Sequence, residues 1–149
     1  VEFFSKMKKG TLYGLTPLVN ETACGPDFYE EAKKSGHYIE LDPAMSMEEA
    51  KEYANKMDVL YTDTWVDMEF FNNPAYQKQK EETLAKMMPY QLNGDFTKDS
   101  KAIVFHDMPM HVGFEISQDV VDKNLDHILD EAENRRHAEK AVMYTLLNS

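Results

Sequence analysis

The sequence predicts an α/β fold: a three-layer αβα, Rossmann-like open parallel sheet, lacking its first strand. Two observations carry this. Short apolar runs alternate with longer stretches of helical periodicity, the pattern of strands joined by crossover helices. The residues with the most chemical potential also lie at or just after the ends of those runs, the edge where open α/β sheets bind ligands.

Each element has its own signal. Val1–Lys9 reads as the tail of a helix stopped by Gly10, and Leu12–Thr16 as a short strand closed by Pro17. Pro26 fits the first position of a helix through Phe28, Tyr29, Ala32 and Lys33, ended by Gly36. Tyr38–Leu41 alternates like a strand. Ser46 and Glu49 form a capping-box start for a helix reaching Asn55. Val59–Thr62 is a β-rich central strand. Phe70–Lys86, polar and interrupted by Pro74, reads as a loop entering a helix, and Met87–Leu92 leads to a Gly94–Asp95 turn. Ala102–Phe105 is the clearest buried strand. Ser117–Asp122 reads as a helical turn, His127–Leu129 as a last short strand, and Glu131–Leu147 as an amphipathic helix with Ala138, Ala141, Val142 and Thr145 on one side.

A doubly wound domain opens on a strand followed by a helix, and this chain starts inside that helix. The missing strand would be central, leaving its neighbours unpaired. The expectation is therefore a piece of a longer polypeptide, truncated at its N-terminal edge. Residues 1–149 otherwise read as one domain, with no repeat, low-complexity tract or interdomain linker.

Composition narrows the partners. The 149 residues carry a net charge of -11, from 27 acidic and 16 basic side chains, which disfavours nucleic acid and anionic membrane. No stretch approaches the roughly 18 apolar residues of a spanning helix. No signal peptide is legible, and Cys24, the single cysteine, suits a reducing cytoplasm.

Three constellations carry chemistry. In the first, Asp63, Asp67 and Glu69 follow a predicted strand, and the spacing of Asp63 and Asp67 puts them on one face of an extended chain. Such acids suit an ammonium group, although a solvated loop has the same spacing. In the second, His106 and Asp107 follow the strand at Phe105, with Met108-Pro109 forming a bond that tolerates the cis form. His106, His111 and Asp107 match no zinc spacing, so no metal is expected. In the third, Glu131–His137 opens the terminal helix. There the acids suit the helix dipole, and Arg135 has the planar fork for a carbonyl or phosphate oxygen, or for a surface ion pair. Nucleophile–base pairs and glycine-rich phosphate loops are not recognisable. Residue chemistry alone stops at an α/β domain binding a small polar ligand.

In this order the constellations resemble the ornithine carbamoyltransferase family. Tyr61-Thr62-Asp63-Thr64-Trp65-Val66 is similar to its Tyr-Thr-Asp-Val-Trp-Val, and Tyr90-Gln91-Leu92-Asn93 to its Tyr-Gln-Val-Asn. His106-Asp107-Met108-Pro109 stands where the family has His-Cys-Leu-Pro. Asp130-Glu131-Ala132-Glu133-Asn134-Arg135, with His137-Ala138 and Lys140-Ala141, resembles its Asp-Glu-Ala-Glu-Asn-Arg terminal helix. The similarity runs from about Leu12 to the end.

The resemblance implies transfer of a carbamoyl group from carbamoyl phosphate to an amine, with no cofactor. It implies an active site between two domains and across subunits of a homotrimer. This chain would be the C-terminal, acceptor-binding half. The N-terminal carbamoyl-phosphate domain would supply Ser-Thr-Arg-Thr and His-Pro-x-Gln, motifs absent here, so the fragment alone is expected to be inactive. The resemblance makes Asp63, His106, Asp107 and Arg135 catalytic candidates, and Asp63, Asp67, Met68, Asp107, Met108 and Arg135 substrate-binding candidates. Asp63 matches the aspartate that binds the amino acid, Met68 the methionine of Ser-Met-Gly, and Met108 the leucine whose carbonyl holds the carbamoyl amine. His106 and Arg135 match residues associated with carbamoyl phosphate.

Two departures bear on the acceptor. Asp67-Met68-Glu69 replaces Ser-Met-Gly, and Asp107 replaces the cysteine of His-Cys-Leu-Pro. Both put carboxylates where the family has small or neutral groups. They point to a diamine such as putrescine, or another strongly cationic amine, in place of ornithine. The alternatives are an ornithine enzyme with unusual loops, and a non-catalytic paralogue that binds a small amine or a protein. An aspartate carbamoyltransferase fits poorly, because the added acids would repel a dianionic acceptor.

Overall fold

The computed structural model describes residues 10–18 and 26–148; the expected helix tail at Val1–Lys9 and Cys24 lie outside them. The chain divides into two compact units, Val1–Ser46 and Met47–Ser149. In the first, β1 (Leu12–Gly14) pairs in parallel with β2 (Tyr38–Glu40), and α1 (Pro26–Ser35) is the crossover between them. Its helix begins at Pro26 as the sequence predicts, since a proline there gives up no helical hydrogen bond.

The second unit holds every candidate site residue. Its order is α2 (Met47–Ala54), β3 (Val59–Tyr61), α3 (Met68–Phe71), a 3-10 turn at Pro74–Tyr76, α4 (Gln77–Met87), a second 3-10 turn at Met88–Tyr90, α5 (Gly94–Thr97), β4 (Ile103–Phe105) and α6 (Gln118–Leu147). β3 and β4 are parallel, with Val59 opposite Ile103 and Tyr61 opposite Phe105. Both strand pairs are parallel, so the α/β reading of the sequence holds.

The core of this unit is Leu92, Val104, Ile116, Val120, Val121 and Ile128, with Leu60, Phe96 and Met110 packed against it. Helix α6 lies along β4. Asn124 joins them: its side-chain oxygen accepts from Val104 N–H at 3.1 Å, and its amide donates to the Val120 carbonyl at 2.9 Å. A backbone donor on β4 is thereby satisfied by a helix side chain, as a buried donor must be.

Three local readings need correction. His127–Leu129 is not a strand, and Ser117–Asp122 is not an isolated turn; both belong to the 30-residue α6, which has Ser117 at its N-cap. Gly94–Asp95 is the start of α5, where Asn93 accepts from Phe96 N–H at 3.0 Å. Phe70–Lys86, read as a loop entering a helix, holds the end of α3, the Pro74 turn and α4, so the helix is there with more order ahead of it. Among the described residues, no helix is long and apolar enough to cross a membrane.

Candidate functional site

Parallel pairing builds the site. Tyr61 and Phe105 are register partners at the carboxyl ends of β3 and β4. Asp63 and Asp107 each stand two residues further on, so the same register brings the two aspartates together. Thr62 N–H continues the ladder to the Phe105 carbonyl at 3.3 Å, and the Thr64 hydroxyl donates to the Pro109 carbonyl at 2.8 Å. The two turns therefore face each other and are tied.

The second turn is pinned from below. His106 is fully buried, and its Nδ1 accepts from Met108 N–H at 3.0 Å. That bond leaves the ring proton on Nε2, which donates to Glu115 Oε1 at 3.2 Å. Glu115 is equally buried and also accepts from His111 N–H. These bonds hold Met108 at φ 54°, a left-handed conformation uncommon for a residue with a side chain. The Met108–Pro109 bond is cis, within the range the sequence allowed.

Aromatic contacts add a third wall. The Phe71 ring at the end of α3 stacks on His111 at 3.6 Å between centroids and meets Phe114 edge-on at 5.3 Å. Lys80 of α4 donates to the Phe71 carbonyl at 2.8 Å and lies over the same ring.

Charge is concentrated here. Asp107 is pushed up to about 6, first by burial, then by the neighbouring Asp63 carboxylate, with Glu131 adding to the rise. Glu131 is raised by burial and by Asp63. The Tyr61 hydroxyl is raised by burial and then by Asp107, Glu131 and Asp63, so it stays protonated. Asp107 Oδ1 and Glu131 Oε2 are buried without a hydrogen-bond partner. Among the described residues, no three His, Cys, Asp or Glu side chains are arranged to hold a metal ion.

The raised Asp107 has a thermodynamic consequence. It titrates higher folded than unfolded, so protonation favours the fold. That stabilisation is complete below its ordinary value of 3.8 and is lost as pH rises through about 6. Because 40% of the side chain is exposed, solvent screening limits the effect to about 1 kcal/mol. Asp107→Asn is therefore expected to raise the melting temperature by a few degrees at pH 7.5 and by nothing at pH 4. Thermal melts across that range check it, and a gain of equal size at both pH values would refute the assignment.

The structure thus gathers Asp63 and Asp107, with His106 beneath them and Met108 at the exposed turn. Asp67 and Met68 are exposed at the start of α3. Arg135 does not join the group: one turn beyond Glu131 on α6, its side chain is 74% exposed and its Nε donates to Glu139 at 3.1 Å. Sequence reasoning missed Glu115, Tyr61 and the Phe71–His111 stack, and read Glu131 only as a dipole partner. Glu115 gave no signal beyond an acid next to the apolar Ile116.

Comparison with known proteins adds a family context. Residues 1–146 match the family described as aspartate/ornithine carbamoyltransferase, Asp/Orn binding domain. The ornithine carbamoyltransferase of Chlorobaculum tepidum is 40% identical over 99 residues, covering 65% of this chain and 28% of the relative. That of Mycolicibacterium smegmatis is 34% identical over 145 residues, covering 91% of this chain and 45% of the relative. This chain thus spans less than half the length of these relatives. Among solved structures, ornithine carbamoyltransferase from Pyrococcus furiosus superposes with a TM-score of 0.66 at 28% identity, over 90% of this chain and 41% of that one.

Proposed function

Because the chain belongs to the aspartate/ornithine carbamoyltransferase family, as its Asp/Orn binding domain, we propose that it binds the amine acceptor in carbamoyl transfer from carbamoyl phosphate. The observation that carries this is the β3–β4 register, which sets Asp63 beside Asp107 at the carboxyl ends of the sheet. Two carboxylates in a partly buried turn bind an ammonium ion through both charge and hydrogen bonds. Attack on a carbonyl needs the neutral amine, so the same carboxylates serve to deprotonate it.

The remaining roles follow the family motifs. The Met108 carbonyl would hold the carbamoyl amine, and Met68 and Asp67 would line the acceptor's far end. His106, sealed between Met108 N–H and Glu115, acts through the shape of the turn. Arg135, on an exposed helix face, would swing from Glu139 to the carbamoyl phosphate oxygen when the other domain is in place, steadying the developing charge. That N-terminal carbamoyl-phosphate domain would be the intramolecular partner. The exposed apolar end of α6, with Val142, Met143, Tyr144, Leu146 and Leu147, gives it a surface to cover. Assembly as a homotrimer and the absence of a cofactor belong to the same reading.

The acids at positions 67 and 107 favour a diamine or another cationic amine over ornithine. They also favour a second reading, a paralogue that binds an amine without catalysis. Incubating the polypeptide that joins this chain to a carbamoyl-phosphate domain with carbamoyl phosphate, and with putrescine or ornithine, separates them. Phosphate release with formation of a carbamoylated amine is expected. Amine binding without turnover would establish the paralogue.

A further inference from the structure

Resting on that reading of function, we infer that Phe71 is a positioning residue for the acceptor: its ring, stacked on His111, sets α3, and with it Asp67 and Met68, against the Met108 turn. Helix α3 needs such an anchor. It is four residues long, none of them is buried, and Asp67 at its N-cap makes no side-chain capping bond. A helix so short does not persist in water by its own hydrogen bonds. Phe70 packs on Tyr76 with 4.3 Å between centroids, which ties the loop to itself and not to the sheet edge.

Phe71 reaches across. Its ring lies face to face with His111, 11° from parallel, and meets Phe114 edge-on. The Lys80 ammonium stands 4.6 Å from the ring centroid and donates to the Phe71 carbonyl, so charge and hydrogen bond hold the same residue. The surface that receives the ring is itself bonded in place. His111 N–H donates to the buried Glu115 carboxylate, and Phe114 N–H donates to the His111 carbonyl at 3.0 Å. His111 Nε2 is buried without a hydrogen-bond partner. At that nitrogen the ring is held by face contact, and a phenyl group would serve the stack as well.

His111 stands three residues past Met108, and the Met108 turn has its own support in His106. Removing the stack therefore frees α3 and leaves the turn in place. An acceptor spans from Asp67 and Met68 to the reacting end at that turn, so a loosened α3 weakens the hold on its far end. That loss is equal in the ground state and the transition state, which raises KM and spares kcat.

The test uses the polypeptide carrying both domains, with carbamoyl phosphate and putrescine or ornithine as probes. Phe71→Ala is expected to raise KM for the amine ~5-fold, with kcat and the KM for carbamoyl phosphate changed less than about twofold. His111→Ala should do the same, the double variant should be no worse than either single one, and His111→Phe should recover most of the affinity. Hydrogen exchange reads the anchor without turnover: in Phe71→Ala the Phe70 and Phe71 amides, bonded to the Asp67 carbonyl, should exchange several-fold faster, and the Val104 amide at its former rate. The proposal is overturned if the two alanine effects multiply, if His111→Phe is as poor as His111→Ala, or if kcat falls with KM unchanged. Absence of turnover in the unsubstituted protein removes the parent reading; the α3 amides then decide the anchor, and unchanged exchange in Phe71→Ala overturns it.

Discussion

Ile128→Ala is expected to lower the unfolding free energy by about 3 kcal/mol, while Leu129→Ala changes it by less than about 0.5 kcal/mol. Ile128 has no exposed surface and closes the core against Val104, Val120 and Val121, whereas Leu129 is 49% exposed. Truncation at 128 removes three carbons from a place where β4 limits collapse, so most of the cavity stays open and its cost adds to lost burial. The contrast between neighbours follows from the helix, which turns about 100° per residue and carries 129 away from the sheet. A buried strand across His127–Leu129 would bury 129 on its opposite face and make both changes costly. Chemical denaturation of the two variants checks this; comparable losses at 128 and 129 would sink the helical assignment.

The reason sequence reasoning went astray there is physical. The inward face of α6 runs Val120, Asn124, Ile128, a spacing of four with a polar residue in the middle. Asn124 is inward because it serves a β4 donor, and an apolar count treats it as a break. The start of helix α4 is obscured differently. None of its residues is buried, and its Gln, Lys, Glu, Leu, Ala and Met content supports a helix through intrinsic preference, without an apolar face. Strands β3 and β4 were legible because β-branched and aromatic residues run between charged flanks. The candidate site was legible to the same depth. Asp63 and Asp107 could be picked out as acids beyond strand ends, yet their adjacency depends on register, which only tertiary pairing decides. Glu115 was beyond reach for a related reason. A buried carboxylate needs donors, and those on its Oε1, His106 Nε2 and His111 N–H, come from a turn whose path no local pattern encodes.

The pair of acids replacing family residues leads to the largest functional expectation. Asp67→Ser combined with Asp107→Cys should raise kcat/KM for ornithine ~5-fold and lower it for putrescine, measured as citrulline against carbamoyl-putrescine formed by the two-domain polypeptide. Two like charges at about 4 Å repel by about 4 kcal/mol at the effective dielectric of a protein surface. Asp67 is exposed, so water reduces that to about 1 kcal/mol, which corresponds to a ~5-fold change. Its neighbourhood makes the penalty selective. An α-carboxylate would be repelled by Asp67, while a second ammonium would be drawn to it. Asp107 acts at the other end of the acceptor, where an added negative charge strengthens the grip on any cationic nitrogen. The single variants separate these contributions: Asp67→Ser should account for most of the gain with ornithine, and Asp107→Cys for most of the loss with putrescine. If the double variant leaves the ratio of the two products unchanged, the acids do not choose the acceptor, and ornithine becomes the better-supported substrate.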